Sequence, residues 1–187
     1  MNQATYFNNQ FIIAMPSLVD PNFFHTVAYL CQHNKEGALG IVINRPAEMK
    51  LGEIFKQMNI CATSSDAAET PVFAGGPVQQ ERGFVLHTTG GGWDATMAVS
   101  ETISLTTSRD VIEAIAIGKG PEQYLVALGY AGWGEGQLEQ EILANAWLNT
   151  PYSNRVLFDT PVNKRWQAAA GQIGIDINQL TTPAGHG

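Results

Sequence analysis

The chain predicts an α+β fold with a mixed, mostly antiparallel sheet and flanking helices, on three observations. Strand-like apolar runs outnumber helical ones. Several neighbouring runs are linked as hairpins, without a crossover helix. Nineteen glycines and nine prolines fall between the apolar runs, as turn punctuation does. The 187 residues, 44% of them hydrophobic, suffice for one globular domain over 1–187 with a substantial core. No linker, low-complexity tract or fixed-period repeat interrupts it.

Phe11-Ile-Ile-Ala-Met-Pro16 is a buried strand closed by proline, and Asp20-Pro21 starts a short helical turn over Asn22 to Phe24. Thr26 to His33 alternates Val27, Tyr29, Cys31 and His33 on one side with Thr26, Ala28, Leu30 and Gln32 on the other, which predicts a period-two strand. After the turn Asn34–Gly37, Leu39 to Asn44 returns as its antiparallel partner. Leu51, Ile54, Phe55 and Met58 repeat at helical spacing, and Cys61 to Thr70 reads as a loop.

Pro71 to Ala74 and Gly83 to His87 read as strands separated by Gly75-Gly76-Pro77, and Thr96 to Leu105 as a further strand region. Ser108 is placed to cap a helix with Asp110 in its first turn and Val111, Ile112, Ile115 and Ile117 as its apolar stripe, ending at Gly118. Tyr124 to Ala131 is the expected central strand, and Leu138, Ile142 and Leu143 define the next helix. Trp147-Leu148 and Val156 to Phe158 are short strands. Thr160-Pro161 opens a last helix with Trp166 and Ala169 or Ala170 inward, before a frayed tail from Thr182.

Ten Lys and Arg against seventeen Asp and Glu give a net charge of −7. The cations are scattered, and only Lys164 and Arg165 are adjacent, which argues against direct nucleic-acid contact. The N-terminal residues lack the basic start and long apolar stretch of a secretory signal, and no apolar run is long enough to cross a bilayer. Cys31 and Cys61 form no disulfide framework. The expectation is a cytosolic chain with reduced thiols and no membrane association.

The corner from Gln123 to Ile142 runs from strand through glycines into helix, a geometry that can hold an anion. Gly129, Gly132, Gly134 and Gly136 miss the dinucleotide fingerprint, no Gly-Lys-Ser/Thr triplet exists, and Glu135, Glu139 and Glu141 would repel phosphate. A structural corner with Trp133 packed over glycine is the better reading, and no cofactor is expected. Cys31 and His33 share a strand face but project in parallel, a poor geometry for a nucleophile and base. Cys31, His33 and Cys61 with His25 or His87 match no compact zinc spacing. Neither G-x-S-x-G nor H-E-x-x-H occurs.

Polar strand ends form the best candidate site. Asn44 and Arg45 leave one strand, Gly75, Gly76 and Pro77 break another, and Arg82 with His87 brackets the next, so these groups can meet at one sheet edge and bind an anion or peptide carboxylate. The competing reading makes Asn44 and Arg45 ordinary hairpin-exit residues.

Phe11–Pro16, Asp20-Pro-Asn-Phe23, Gly37–Pro46, Gly75–Val78, Arg82–His87, Thr107–Val111, Leu128–Trp133, Gly136–Glu139 and Asn145–Leu148, in that order, resemble the bacterial AlgH/YqgE family over nearly the whole chain. The resemblance implies a single α+β domain with intertwined β-sheets, a cytosolic location and no assigned reaction. Some members carry the label of transcriptional regulator of alginate production. Asn44, Arg45, Gly75, Gly76, Pro77, Arg82, His87, Gly129, Gly132 and Trp133 fall at the family's motif positions, and the family supplies no catalytic role for them. The expected function is therefore a non-enzymatic module that binds a small molecule or protein partner and acts indirectly in regulation. The alternatives are a regulator contacting DNA directly, and a hydrolase or thiol enzyme using His87 or Cys31.

Overall fold

The computed structural model describes residues 5–181. Among them are ten strands and five α-helices, with mostly antiparallel pairing, so the fold is α+β. The chain divides into two compact units. One is built from the residues up to Asn44 and from Ala131 onward, the other from Arg45–Tyr130.

In the first unit the strands β1 (Gln10–Ala14), β2 (Val27–Asn34), β3 (Gly37–Val42) and β10 (Trp147–Pro151) lie in the order β10-β1-β2-β3. All their contacts are antiparallel, and β3 also pairs with the Ala131–Trp133 end of β9 (Tyr124–Trp133). The hairpin of β2 and β3 is as expected, and β2 is covered on both faces: every residue from Val27 to Cys31 is buried. One face packs in a cluster with Ile12, Ala28, Leu30, Trp133, Leu138 and Trp147. The last helix, α5 (Arg165–Gly171), lies against β1 and β2, where Trp166 donates to the Ala14 carbonyl at 3.0 Å. Period-two reading finds the strand but not what covers its second face.

Three further expectations in this unit need correction. Val156 to Phe158 is part of a π-helical turn, Arg155–Asp159, not a strand. Leu143 ends α4 (Gln137–Leu143) but is 83% exposed, while Leu138 alone is fully buried. The last helix begins later than Thr160-Pro161, after a 3-10 turn over Val162–Lys164. There the buried Arg165 donates to the carbonyls of Thr160 and Ile43 at 3.0 and 2.5 Å.

In the second unit, β4 (Pro46–Lys50), β5 (Pro71–Ala74), the Tyr124–Tyr130 part of β9, β6 (Val78–Thr88), β8 (Ile103–Thr106) and β7 (Thr96–Ala98) pair in that order. The β5 and β9 contact is parallel, which makes the sheet mixed. Helices α1 (Leu51–Gln57) and α3 (Arg109–Ala116) bury Ile54, Phe55, Val111, Ile112 and Ile115 in a core with Val72, Val85 and Val126. Each such side chain contributes about 1.5–3 kcal/mol of burial.

Sequence reading misses β4, divides no hairpin within Thr96–Leu105, and leaves α2 (Ser65–Ala68) inside a loop. Ser64 caps that short helix by accepting from the Ala67 amide at 3.2 Å. Ile117 lies just past α3 and is 47% exposed, so the buried apolar stripe stops at Ile115 and Ala116.

A groove over the bulged strand

The register of β6 shapes the candidate site. Val78 pairs with Tyr130 and Gly83 with Leu128, so five residues advance on β6 while two advance on β9. This large bulge, with Gln79 at φ 49°, swings Gln79 to Arg82 out of the ladder. From Gly83 the pairing is regular. Gly83 faces Leu128, and Val85 lies between Val126 and Thr106. Residues two apart share a face, so Gly83, Val85, Val126 and Leu128 tile one floor.

That floor lines a groove of about 440 Å³. Ile54, Gln57 and Met58 contribute from the α1 side, Thr106, Thr107, Ser108, Arg109 and Ile112 from β8 and α3, and Glu81 from the bulge. The size is in the range of small-molecule sites, and the lining has their usual composition of apolar walls with a few polar groups. A Cβ on Gly83 would meet no atom within 4 Å, so the glycine leaves open space above the floor. A glycine inside a strand costs stability and often marks close approach by another group.

None of the ten residues singled out from sequence lines this groove, although two border it. Arg82 donates to Thr107 Oγ1 at 3.3 Å and lies 5.4 Å above the Phe84 ring. His87 is fully buried, with Nδ1 2.7 Å from the Thr88 carbonyl and Nε2 2.6 Å from Thr106 Oγ1. A carbonyl only accepts, so Nδ1 carries the proton and Nε2 takes one from Thr106 in the neutral ring. Burial holds the imidazole pKa below its usual range. With both nitrogens engaged and no exposure, the ring has no face to offer a substrate.

Gly75, Gly76 and Gly129 do come together, backbone against backbone. A Cβ on Gly75 would sit 2.4 Å from the Gly129 carbonyl oxygen, and one on Gly129 2.4 Å from that of Gly76. Gly129 also has φ +77°, where an L side chain is strained. Pro77 follows them and its carbonyl accepts from Gln80 Nε2 at 3.4 Å, while the Arg45 carbonyl accepts from the Ala74 amide at 2.8 Å.

The remaining three belong to the first unit. Asn44 bridges the start of β2, donating to the His25 carbonyl at 2.8 Å and accepting from the Val27 amide at 2.9 Å. Gly132 pairs with Leu39. Trp133 is buried beside Phe23 and Trp147, and its ring covers Gly40, where a Cβ would lie 3.2 Å from Cζ3. The glycine corner is filled from within: Gln137 Oε1 accepts from the Gly134 amide at 2.9 Å, and Glu139 accepts from His33 Nε2 at 2.9 Å.

Cys31 is buried and its thiol is pushed far up by desolvation, the opposite of what a thiolate nucleophile requires. Its neighbour His33 accepts the Phe7 amide on Nδ1 at 3.0 Å and uses Nε2 on Glu139, so no ring nitrogen is left for the sulfur. Cys61 is exposed. Among the described residues, no three His, Cys, Asp or Glu side chains gather as metal ligands, and no helix is long and apolar enough to cross a membrane.

Sequence reasoning passed over Glu81, Gly83 and the run Thr106-Thr107-Ser108-Arg109. The available signals were a glycine inside an apolar strand and three hydroxyl residues directly before a helix.

Fold and groove together define an α+β mixed-sheet protein whose candidate site is an apolar cleft with a polar rim. Residues 11–178 match the family model described as AlgH-like (DUF179), and the chain belongs to that family. It is 54% identical to a UPF0301 protein of Methylococcus capsulatus, over 100% of this chain and 99% of that one. A UPF0301 protein of Thioalkalivibrio sulfidiphilus is 55% identical, with both chains fully covered. The solution structure of the AlgH protein from Pseudomonas aeruginosa superposes with a TM-score of 0.81 at 45% identity, covering 100% of both chains. The crystal structure of protein DIP2367 from Corynebacterium diphtheriae shares the fold, with a TM-score of 0.74 at 18% identity over 97% of this chain and 95% of that one.

Proposed function

We propose that this chain is a cytosolic, non-enzymatic binding module that holds a small molecule, or a short segment of a protein partner, in the groove over β6 and β9. It acts on regulation indirectly, through what it binds. The observation that carries this reading is the open floor at Gly83, ringed by Met58, Val85, Ile112, Val126 and Leu128. An apolar cleft of this size with convergent hydroxyls is a default ligand site. The engaged ring of His87 and the buried thiol of Cys31 speak against the alternatives that use them for chemistry. The net charge of −7 with scattered cations speaks against direct DNA contact.

A metabolite library screened by thermal shift, against wild type and Gly83→Phe, tests the proposal. A ligand at a hundred times its Kd stabilises by about 2.7 kcal/mol. Hits on the wild type that vanish in a folded Gly83→Phe variant support the groove. Hits that persist unchanged in that variant place binding elsewhere and refute it.

A further inference from the structure

Where the β1 and β10 pair ends, in the first unit, lies an open notch of about 670 Å³ walled by neutral groups: among the described residues, no Asp, Glu, Lys, Arg or His lines it. Four carboxamides do. Gln10 sits opposite Pro151 and Ile12 opposite Asn149, so Gln10 and Asn149 are diagonal neighbours on one face, and Asn149 Nδ2 donates to Gln10 Oε1 at 3.0 Å. Asn9, at φ 57°, leads into β1; its amide donates to the Leu30 carbonyl at 2.9 Å, and its Oδ1 accepts from the Tyr29 hydroxyl at 2.5 Å. These contacts hold three carboxamides and occupy one end of each. Gln10 Nε2, Asn149 Oδ1, Asn9 Nδ2 and both ends of the Asn8 side chain have no protein partner among the described residues. Pro151 and Ile173 supply an aliphatic wall, steadied by Gln172 Nε2, which donates to the Pro151 carbonyl at 3.0 Å.

Such a site offers donors and acceptors without charge. An ionic ligand would find no counter-charge, and an apolar one would strip water from the carboxamides without replacing its hydrogen bonds. The matching ligand is neutral and dense in groups that donate and accept. A nucleobase has such edges but relies on a flat stacking platform. Here the Tyr152 ring is packed against those of Phe11 and Tyr29, at 6.1 and 5.7 Å between centroids, and the other walls are aliphatic. A peptide backbone strings its donors and acceptors along an extended line, which outruns a notch at one strand end. A sugar ring meets each condition: every hydroxyl both donates and accepts, adjacent hydroxyls can engage neighbouring carboxamides, and its C–H face covers Pro151 and Ile173. We propose that this notch binds a neutral saccharide, at a site that shares no lining residue with the groove over β6 and β9.

The test titrates maltose, cellobiose, lactose, adenosine and N-acetyl-trialanine amide into the nitrogen-15-labelled full-length chain and follows the side-chain NH2 signals of Asn8, Asn9, Gln10 and Asn149. At least one disaccharide is expected to shift these signals to saturation, while adenosine and the tripeptide leave them in place and the backbone signals of Gly83 and Val85 stay unmoved. Gln10→Ala and Asn149→Ala should each weaken that disaccharide about fivefold, the effect of one neutral hydrogen bond, as read from the Asn8 and Asn9 signals. Shifts caused by adenosine or the tripeptide in place of the sugars overturn the ligand class. Silence with every probe, or unchanged affinity in both variants, overturns the site. Sugar-induced shifts confined to Gly83 and Val85 also overturn it and place the saccharide in the groove, so the two readings fail separately.

Discussion

The His87 side chain links the core to the groove through two hydroxyls. Thr106 Oγ1 lies 2.6 Å from its Nε2 and 2.8 Å from Thr96 Oγ1, and Thr96 Oγ1 lies 2.8 Å from the Trp93 carbonyl oxygen. Protonation of the ring would turn Nε2 from an acceptor into a donor toward Thr106 Oγ1 and place a charge in a buried site. The pKa of His87 is lowered, mainly by burial, and that of His25 is lowered by the same cause. The unfolded chain therefore binds more protons than the folded one in the window below about pH 6.5. Stability is expected to be full above that pH and to fall as pH drops toward the folded-state values. Urea denaturation at pH 7.5 and 5.5 measures it. His87→Gln should flatten part of the slope while costing about 1–3 kcal/mol at pH 7.5. A wild-type stability that rises on acidification through this window would contradict the assignment. The cysteines give a second check at this scale. One thiol per native chain, Cys61, should react with iodoacetamide at neutral pH, and Cys31 only after unfolding; a rapidly labelled Cys31 would reopen the thiol chemistry.

Strand β9 and the bulged strand beside it carry two glycines whose tolerance should be opposite. Gly129→Ala meets a left-handed φ and a carbonyl oxygen 2.4 Å from the new Cβ, so a loss of at least about 2 kcal/mol is expected. Gly83→Ala enters open space and should change stability by less than about 0.5 kcal/mol. Denaturant midpoints of the two variants decide it, and equal costs would mean the floor is not open. The same pair shows what sequence could reveal. Both positions read as glycine in apolar runs, and only the register makes one a packing necessity and the other a vacancy. The helices α1 and α3 and strands β1, β3, β5 and β9 were legible because apolar periodicity and turn residues agreed; Ser108 stands at the N-cap position of α3 as expected, but its hydroxyl donates to Asp110 and caps no helix amide. The π turn at Arg155–Asp159 was not: Val156, Leu157 and Phe158 have strand propensity, and tertiary burial of Val156 and Leu157 overrides it. The groove stayed hidden because its residues come from β6, β8, β9, α1 and α3 and owe their meeting to a bulge that no local pattern announces.

Chain path gives the molecule its larger-scale behaviour. The second unit is inserted between Asn44 and Ala131, and β9 supplies strand residues to both units without a linker. The chain is expected to unfold in one transition. Three of the four tryptophans, Trp133, Trp147 and Trp166, belong to the first unit, so tryptophan fluorescence is weighted toward it while far-ultraviolet dichroism averages over both. Coincident urea curves from the two probes are predicted, and separated midpoints would show two independent domains. The claim on which the account turns is that the groove over Gly83, Val85, Val126 and Leu128 is where this protein meets its partner molecule. Its most direct test is calorimetric titration of a hit from the metabolite screen into wild type and into folded Gly83→Phe. Binding to the first and none to the second is predicted; equal heats and affinities in both would contradict it.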